Sequence, residues 1–217
     1  MWKACIFDLD GTLADTLESM AYVANEIMCG LGLQELPVEN FKYYCGEGAS
    51  MLIRRCLKDA GDRELVHFQE ADASYRKKFD QNPLYRVKPY EGIVETLARL
   101  KEEGAKIAVC SNKPHGAAVK VVTSMFGDTF DMILGQSPEI PRKPSPDGPL
   151  KIAEAFGVKP EECLYIGDTG TDMETGKNAG MFTVGVLWGF RTREELLENG
   201  AKALAEKPEE IFQIFRG

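Results

Sequence analysis

The chain has 217 residues, of which 44% are hydrophobic and 28% charged, and its formal net charge is −8. A chain of this length buries roughly 70% of the surface that it exposes when unfolded, enough for one large core and a smaller appended unit. The acidic balance argues against nucleic acid and anionic membranes as main partners, because both attract basic surfaces.

Cysteine usage and hydropathy point to a cytoplasmic protein. Six cysteines are scattered without a Cys-x-x-Cys pair, and two histidines offer little basis for a zinc site, so we expect reduced, mostly buried thiols. We expect no signal peptide, because Asp8 breaks the first apolar run, and no stretch approaches the roughly 18 apolar residues of a membrane span. No pattern specifies an oligomeric state.

The first half of the chain predicts one strand followed by helices. A strand over residues 3–7 lacks polar alternation, which indicates a central position in a sheet. Residues 15–85 are then helical in character, and apolar residues recur at helical spacing at Met20, Val23, Ala24, Ile27 and Leu31. The predicted helices cover residues 20–31, 38–45, 49–60 and 63–79. Without a strand among them they form a separate helical domain, and Asn82-Pro83 and Lys88-Pro89 mark the return of the chain.

After Pro89, helices and strands alternate. The predicted strands cover residues 106–110, 132–134, 163–166 and 183–187, and the predicted helices 93–103, 116–125, 147–156, 172–179, 192–199 and 208–215. This pattern predicts an α/β fold, a doubly wound, Rossmann-like parallel sheet with helices on both faces. We therefore expect a core domain over residues 1–14 and 86–217, with the helical domain inserted over residues 15–85.

The first strand ends in two carboxylates, Asp8 and Asp10. Aspartate is a poor strand residue, and residues i and i+2 of a strand point to the same side. Two carboxylates held this close repel each other unless a cation or a shared proton intervenes.

Polar residues also follow the later strands, at the edge where such sheets bind ligands. Besides the two aspartates, these residues are Ser111 and Asn112 after the second strand, Lys143 in a proline-rich loop, and Asp168 and Asp172 after the fourth strand. Four acids, a hydroxyl, an amide and a lysine are the groups that phosphoryl transfer to a carboxylate requires.

The charges suggest the chemistry. Asp8, Asp10 and Asp168 carry three negative charges, and Mg²⁺, with its preference for oxygen ligands, is the natural cation to relieve them. Such an ion lets an anionic carboxylate approach a phosphate, whose remaining oxygens the hydroxyl, amide and lysine would hold. One carboxylate would attack phosphorus and give an aspartyl phosphate, while a second would protonate the leaving alkoxide and later deprotonate water.

Four segments, in order and at compatible separations, resemble the motifs of the haloacid-dehalogenase superfamily, and the resemblance covers essentially the whole chain. The segments are residues 7–13, 110–113, 143–144 and 167–172. The resemblance implies that Asp8 is the nucleophile and Asp10 the general acid and base. It also implies that Mg²⁺ is bound by the Asp8 side chain, the Asp10 backbone carbonyl and Asp168, with Asp172 supporting them from behind.

The resemblance further assigns Ser111, Asn112 and Lys143 to the phosphate, with Lys143 also taking part in catalysis, and it implies that Thr12 orients Asp10. In this superfamily an aspartate at the position of Asp10 favours phosphate-ester hydrolysis, whereas members that cleave carbon–halogen bonds carry tyrosine there.

The helical insertion resembles the cap of the phosphoglycolate phosphatase-like subgroup. In that likeness residues 44–49 form the cap loop that approaches the active site. Arg54 and Arg55 on the following helix are then candidate contacts for a carboxylate on the substrate.

These patterns predict a Mg²⁺-dependent phosphatase that acts on a small phosphorylated metabolite, with 2-phosphoglycolate as the best single substrate. The alternatives within enzymes are hydrolysis of pyrophosphate or a sugar phosphate, and a mutase of the β-phosphoglucomutase type. Outside enzymes, the alternative is a catalytically silent domain that senses a phosphometabolite or binds a partner. The presence of both Asp8 and Asp10 argues against that alternative, because a binding module does not need the pair.

Overall fold

The structure, a computed structural model, describes residues 1–82 and 84–217. Pro83, one of the prolines at which the sequence predicts the return of the chain, lies outside the described residues. The chain divides into two compact units. We call Met1–Asp15 with Lys88–Gly217 the α/β unit, and Thr16–Val87 the helical unit.

Eight strands and ten α-helices make up the described chain. The strands are β1 (Ala4–Phe7), β2 (Ala14–Asp15), β3 (Lys88–Pro89), β4 (Lys106–Pro114), β5 (Met132–Gln136), β6 (Cys163–Gly167), β7 (Phe182–Val186) and β8 (Ala203–Ala205). The helices are α1 (Leu17–Gly30), α2 (Phe41–Tyr44), α3 (Ala49–Asp59), α4 (Phe68–Gln81), α5 (Ile93–Glu102), α6 (His115–Phe126), α7 (Asp147–Phe156), α8 (Gly170–Asn178), α9 (Arg193–Glu198) and α10 (Pro208–Arg216). Short 3₁₀ helices cover Val38–Asn40 and Pro160–Glu162.

Six strands form one parallel sheet in the order β5-β4-β1-β6-β7-β8. Strand β1 lies at its centre, and all four of its residues are buried, as the unbroken apolar run predicts. Ile6 on one face joins a cluster with Ile152 of α7. Phe7, on the other face, lies edge-on against Phe130, which contacts Phe126 of α6. Helices cover both faces, so the predicted doubly wound α/β fold is confirmed.

A second, two-stranded sheet pairs β2 with β3 in antiparallel fashion. Ala14 lies opposite Pro89, and Asp15 lies opposite Lys88. The chain therefore leaves the α/β unit and re-enters it at neighbouring residues. The sequence boundaries, after residues 14 and 85, lie within two residues of these points.

The helical unit has its own buried core, with α1 supplying a run of apolar side chains at helical spacing that includes Met20, Val23 and Ile27. One buried polar residue, Asn25, bonds to both backbone groups of Leu36. Its Nδ2 donates to the Leu36 carbonyl at 2.8 Å, and its Oδ1 accepts from the Leu36 N–H at 2.9 Å. This pair fixes the segment that follows α1.

Helix α4 begins at Phe68, five residues after the predicted start at residue 63. The Asp62 carboxylate accepts hydrogen bonds from the N–H groups of Val66 and His67, both at 2.9 Å, and Leu65 has a positive φ of 59°. These local bonds hold the chain in a loop where periodicity predicts a helix.

No helix among the described residues is long and apolar enough to cross a lipid bilayer.

Candidate active site

Three neighbouring strands bring the predicted residues to one edge of the sheet. Asp8 follows β1, Ser111 lies near the end of β4, and Asp168 follows β6. Because β4 and β6 both run parallel to β1, their carboxyl ends meet at the same edge. There Asp8, Asp168 and Asp172 each offer a carboxylate oxygen within 4.8 Å of the others, and all three are buried.

Lys143 is the cation that contacts two of these three carboxylates. Its Nζ lies 2.7 Å from Asp8 Oδ1 and 2.7 Å from Asp172 Oδ1, and its side chain is 5% exposed. Asn112 fixes its backbone, because Asn112 Oδ1 accepts from the Lys143 N–H at 2.9 Å and Asn112 Nδ2 donates to the Lys143 carbonyl at 3.4 Å. The asparagine that the sequence assigns to the phosphate thus also positions the lysine.

Burial and repulsion by neighbouring carboxylates disfavour charge on Asp8 and Asp168 and raise the pKa of both. Burial raises the pKa of Asp8 to about 7, the charge of Asp172 adds to this effect, and Lys143 opposes it. Burial and the charge of Asp172 also raise the pKa of Asp168 well above its usual range. Burial alone would lower the pKa of Lys143, but the carboxylates of Asp172 and Asp8 outweigh it and raise that pKa. The lysine remains a cation, and the cluster favours added positive charge.

Asp168 is held by donors to both oxygens. Thr12 Oγ1 donates to Asp168 Oδ1 at 2.9 Å, and the Phe190 N–H donates to Asp168 Oδ2 at 2.8 Å. The Thr12 hydroxyl, which the resemblance assigns to Asp10, donates its hydrogen to Asp168. The orientation of Asp10 by Thr12 stays a prediction. The parallel pairing of β1 with β6 brings Thr12 to the residue that follows β6.

Asp172 is fixed by the start of α8. Thr169 caps the helix by accepting from the Asp172 N–H at 3.3 Å, and its own hydroxyl donates to Asp172 Oδ2 at 2.6 Å. The Thr169 N–H donates to the same oxygen at 3.1 Å. Asp172 therefore uses one oxygen to close the helix end and the other to contact Lys143.

Asp10 has a cation of its own. Lys113 Nζ lies 2.9 Å from Asp10 Oδ1, and the two side chains are 4% and 18% exposed. Lys113 lies in the second motif segment, residues 110–113, but the sequence assigns it no role in the site. The available signal is its place directly after Ser111-Asn112, but a lysine before a proline otherwise resembles an ordinary solvated loop residue.

The donor set fits a divalent cation with a preference for oxygen. Among the described residues the only buried lysines are Lys113 and Lys143, and they face four carboxylates. With all four carboxylates ionised, this set has a formal charge of −2. The cluster holds neither histidine nor cysteine, so its chemistry suits Mg²⁺ better than zinc.

The two candidate arginines of the helical unit already have contacts within that unit. The Arg54 guanidinium lies over the ring of Phe68, 3.8 Å from its centroid. Arg55 donates to the Tyr44 carbonyl at 3.1 Å and pairs with Glu47. Their assignment to a substrate carboxylate stays a prediction.

Comparison with known proteins supports the relationship that the motifs suggest. The profile of the haloacid dehalogenase-like hydrolase family matches residues 5–186. The phosphoglycolate phosphatase of Aquifex aeolicus is 38% identical over 189 residues, which cover 87% of this chain and 86% of that protein. The phosphoglycolate phosphatase of Thiobacillus denitrificans is 34% identical over 200 residues, which cover 90% and 88%.

A solved structure shows the same similarity in three dimensions. The crystal structure of a candidate phosphoglycolate phosphatase from Lactobacillus delbrueckii subsp. bulgaricus superposes with a TM-score of 0.92 at 28% identity. The match covers 99% of this chain and 98% of that one. With its parallel sheet and its acidic cluster at the carboxyl edge, the chain belongs to the haloacid dehalogenase-like hydrolase family.

Proposed function

We propose that the protein is a Mg²⁺-dependent phosphatase that hydrolyses a small phosphomonoester through an aspartyl phosphate, with 2-phosphoglycolate as its substrate. One observation carries the proposal: Lys143 lies between Asp8 and Asp172 in a buried acidic cluster, while Asp10 is paired separately with Lys113. The choice of substrate is supported by the names of the relatives from Aquifex aeolicus and Thiobacillus denitrificans.

The carboxylates of Asp8 and Asp168 and the backbone carbonyl of Asp10 would hold the metal ion, with Asp172 behind them. When bound, Mg²⁺ offsets the negative charge of the cluster and of the substrate phosphate. Raised pKa values at Asp8 and Asp168 fit this role, because burial and the charge of Asp172 disfavour both carboxylates and a bound cation would stabilise them.

In the first step an Asp8 carboxylate oxygen attacks phosphorus, and the bond between phosphorus and the ester oxygen breaks. The electron pair passes to the ester oxygen, which takes a proton from Asp10 and leaves as the alcohol. Lys143 and Ser111 bind the phosphate oxygens as negative charge shifts among them. Asn112 and Asp172 already fix Lys143, so little reorganisation accompanies the reaction.

In the second step Asp10, now a carboxylate, takes a proton from water, and the water oxygen attacks phosphorus. The bond from phosphorus to Asp8 breaks, its electron pair returns to the Asp8 carboxylate, and inorganic phosphate is released. The two aspartates thus divide the reaction: Asp8 exchanges phosphorus, and Asp10 exchanges protons.

The proposal includes a role for the helical unit as the cap that selects the substrate. It rests on the resemblance of this insertion to the cap of the subgroup, and its loop at residues 44–49 carries two glycines with positive φ, Gly46 and Gly48. Glycine adopts a positive φ without steric cost and allows the backbone of a loop to come close to a ligand.

The first test is phosphate release from 2-phosphoglycolate, with Mg²⁺ and with excess EDTA. We expect turnover that requires Mg²⁺ and falls at least about a thousandfold in Asp8→Asn, because the isosteric amide cannot act as the nucleophile. Asp128→Asn, at an exposed aspartate after α6, is the matched control and should retain full activity.

A substrate panel distinguishes the alternatives. Conversion of glucose 1-phosphate to the 6-phosphate without phosphate release would identify a mutase instead. Faster turnover of pyrophosphate or a sugar phosphate would replace the substrate but keep the reaction. Binding of phosphoesters without any turnover would contradict the enzyme and favour a sensing domain.

A further inference from the structure

The buried cations of the α/β unit are divided between the two aspartates that follow β1. Lys143 contacts Asp8 and Asp172, whereas Lys113 contacts Asp10. Lysines are rarely buried to this degree unless they are paired, so a side chain only 4% exposed indicates a specific electrostatic role.

The backbone around Lys113 is fixed on both sides. Its N–H donates to Ser111 Oγ at 3.2 Å. Gly135 of β5 packs so closely that a Cβ there would lie 2.8 Å from the Lys113 carbonyl oxygen and 2.6 Å from His115 Cα. The Gly135 N–H also donates to His115 Nδ1 at 3.3 Å. The end of β4 is therefore a rigid support for the Lys113 side chain.

From this geometry we infer that Lys113 is a positioning residue, which holds the Asp10 carboxylate away from Asp8 and in place for proton transfer. The inference rests on the proposed function, in which Asp10 moves the protons.

The alternative arrangement shows why such a residue is needed. Asp10 lies only two residues after Asp8 in the chain. Without a cation of its own, the Asp10 carboxylate would be attracted to Lys143 and would compete with Asp8 and Asp172 for that lysine. Lys113 removes this competition because it binds Asp10 from the adjacent strand. Asp8 then keeps Lys143 for the phosphate, and Asp10 stays near but separate.

The rival explanation is that Lys113 binds the substrate phosphate directly. The two explanations differ in their kinetics. Loss of a residue that binds phosphate raises KM and the inhibition constant of inorganic phosphate. Loss of a residue that acts through Asp10 lowers kcat instead. They also differ in their coupling, because a residue that acts only through Asp10 has nothing left to do once the Asp10 carboxylate is gone.

The experiment is a double-mutant cycle with Lys113→Met and Asp10→Asn in the full-length enzyme, assayed on 2-phosphoglycolate and on p-nitrophenyl phosphate. We expect Lys113→Met to lower kcat about 10–100-fold, less than the roughly 10²–10⁴-fold contribution of general acid–base catalysis, because Asp10 is still present but less well placed. KM and inhibition by inorganic phosphate should change less than about twofold. In the Asp10→Asn background the same substitution should lower kcat by less than about threefold. Lys106→Met, at an exposed lysine of β4 that pairs with Asp131, is the matched control.

Each other outcome has a defined meaning. Equal losses in both backgrounds, or a rise in KM and in the phosphate inhibition constant, would overturn the positioning role while leaving the phosphatase intact. Wild-type enzyme that turns over neither ester would refute the proposed function, and the inference would fall with it. If Lys113→Met does not fold, Lys113→Arg and Lys113→Gln decide the question. The arginine variant should retain at least about tenfold more kcat than the glutamine variant, and equal activity would refute the role of the charge.

Discussion

Gly189 lies against the side chain of Asp168, with no room between them for a methyl group. A Cβ on Gly189 would lie 2.3 Å from the Cβ of Asp168 and 2.5 Å from the Gly11 carbonyl oxygen. Gly11 is restricted as well, with a φ of 89° and an equally close approach to the Asp168 carboxylate. Two glycines from distant parts of the chain thus enclose one carboxylate and limit where it can point.

Gly189→Ala should therefore destabilise the protein by about 1–3 kcal/mol, the usual cost of overpacking, and should impair phosphate release. Gly116→Ala on α6 is the control, because its Cβ would meet nothing within 4 Å, and we expect no loss of stability. Urea unfolding of both variants measures the difference. If Gly189→Ala is as stable and active as wild type, the residues around Asp168 can accommodate the added methyl group, and the prediction is wrong.

At the level of residues, the sequence predicted which side chains meet but not every partner. Motif order and strand ends predicted that Asp8 and Asp168 lie close together, because parallel strands share a carboxyl edge. The partners of Asp10 and Thr12 depend on distances of a few ångströms across neighbouring strands, which spacing along one chain does not encode. For this reason no role was predicted for Lys113, and the contact of Thr12 with Asp168 was not predicted either.

Helix α8 shows how one element links stability to the acidic cluster. Its cap residue, Thr169, bonds to Asp172 through both its hydroxyl and its N–H, and Asp172 in turn contacts Lys143. Helix α9 has a comparable cap, in which Thr192 Oγ1 accepts from the Glu195 N–H at 3.3 Å. The second cap is exposed and has no contact with the cluster among the bonds of the described residues.

This pair of caps gives a matched prediction. Thr169→Ala and Thr192→Ala should each cost about 1 kcal/mol of stability through the lost cap. Only Thr169→Ala should also raise the Mg²⁺ concentration needed for half-maximal activity, by about tenfold, because Asp172 loses a donor that orients it. The readouts are urea unfolding and Mg²⁺ titration of phosphate release. An identical Mg²⁺ requirement in the two variants would contradict the role of Asp172.

Element by element, the segments with a clear apolar pattern were predictable, and the strands of two or three residues were not. The 10-residue helix α7 has the bounds that its pattern predicts. Strand β8 was not predicted, because its three residues, Ala-Leu-Ala, are too few to show the alternation typical of a strand. Strand β4 extends to Pro114 although its apolar run stops at Cys110, since pairing with β5 continues after a shift in register.

At the scale of the whole molecule, the chain passes from the α/β unit to the helical unit and back at one place. The chain leaves the α/β unit after Asp15 and returns at Lys88, and these residues lie opposite each other in the β2–β3 ribbon. Each unit has buried apolar residues of its own, such as Leu52 in one and Val109 in the other. Independent cores are the usual condition for independent folding.

We accordingly predict that the α/β unit folds without the helical unit. A variant in which Asp15 is joined to Lys88 by Asn-Gly, the preferred two-residue turn between antiparallel strands, should unfold cooperatively in urea. Far-ultraviolet circular dichroism should retain the signal of a mixed α/β protein. A gradual urea-unfolding curve without a folded-state baseline would show instead that the sheet depends on the inserted helices.

The β2–β3 ribbon has a topological consequence. Because both ends of the insertion meet at one residue pair, the inserted chain adds no crossover to the parallel sheet and leaves the strand order β5-β4-β1-β6-β7-β8 unchanged. The length of the insertion therefore has no effect on how the strands of the sheet are connected. Evolution can therefore lengthen, shorten or exchange the inserted helices at this one hairpin while the aspartates at the carboxyl edge keep their positions.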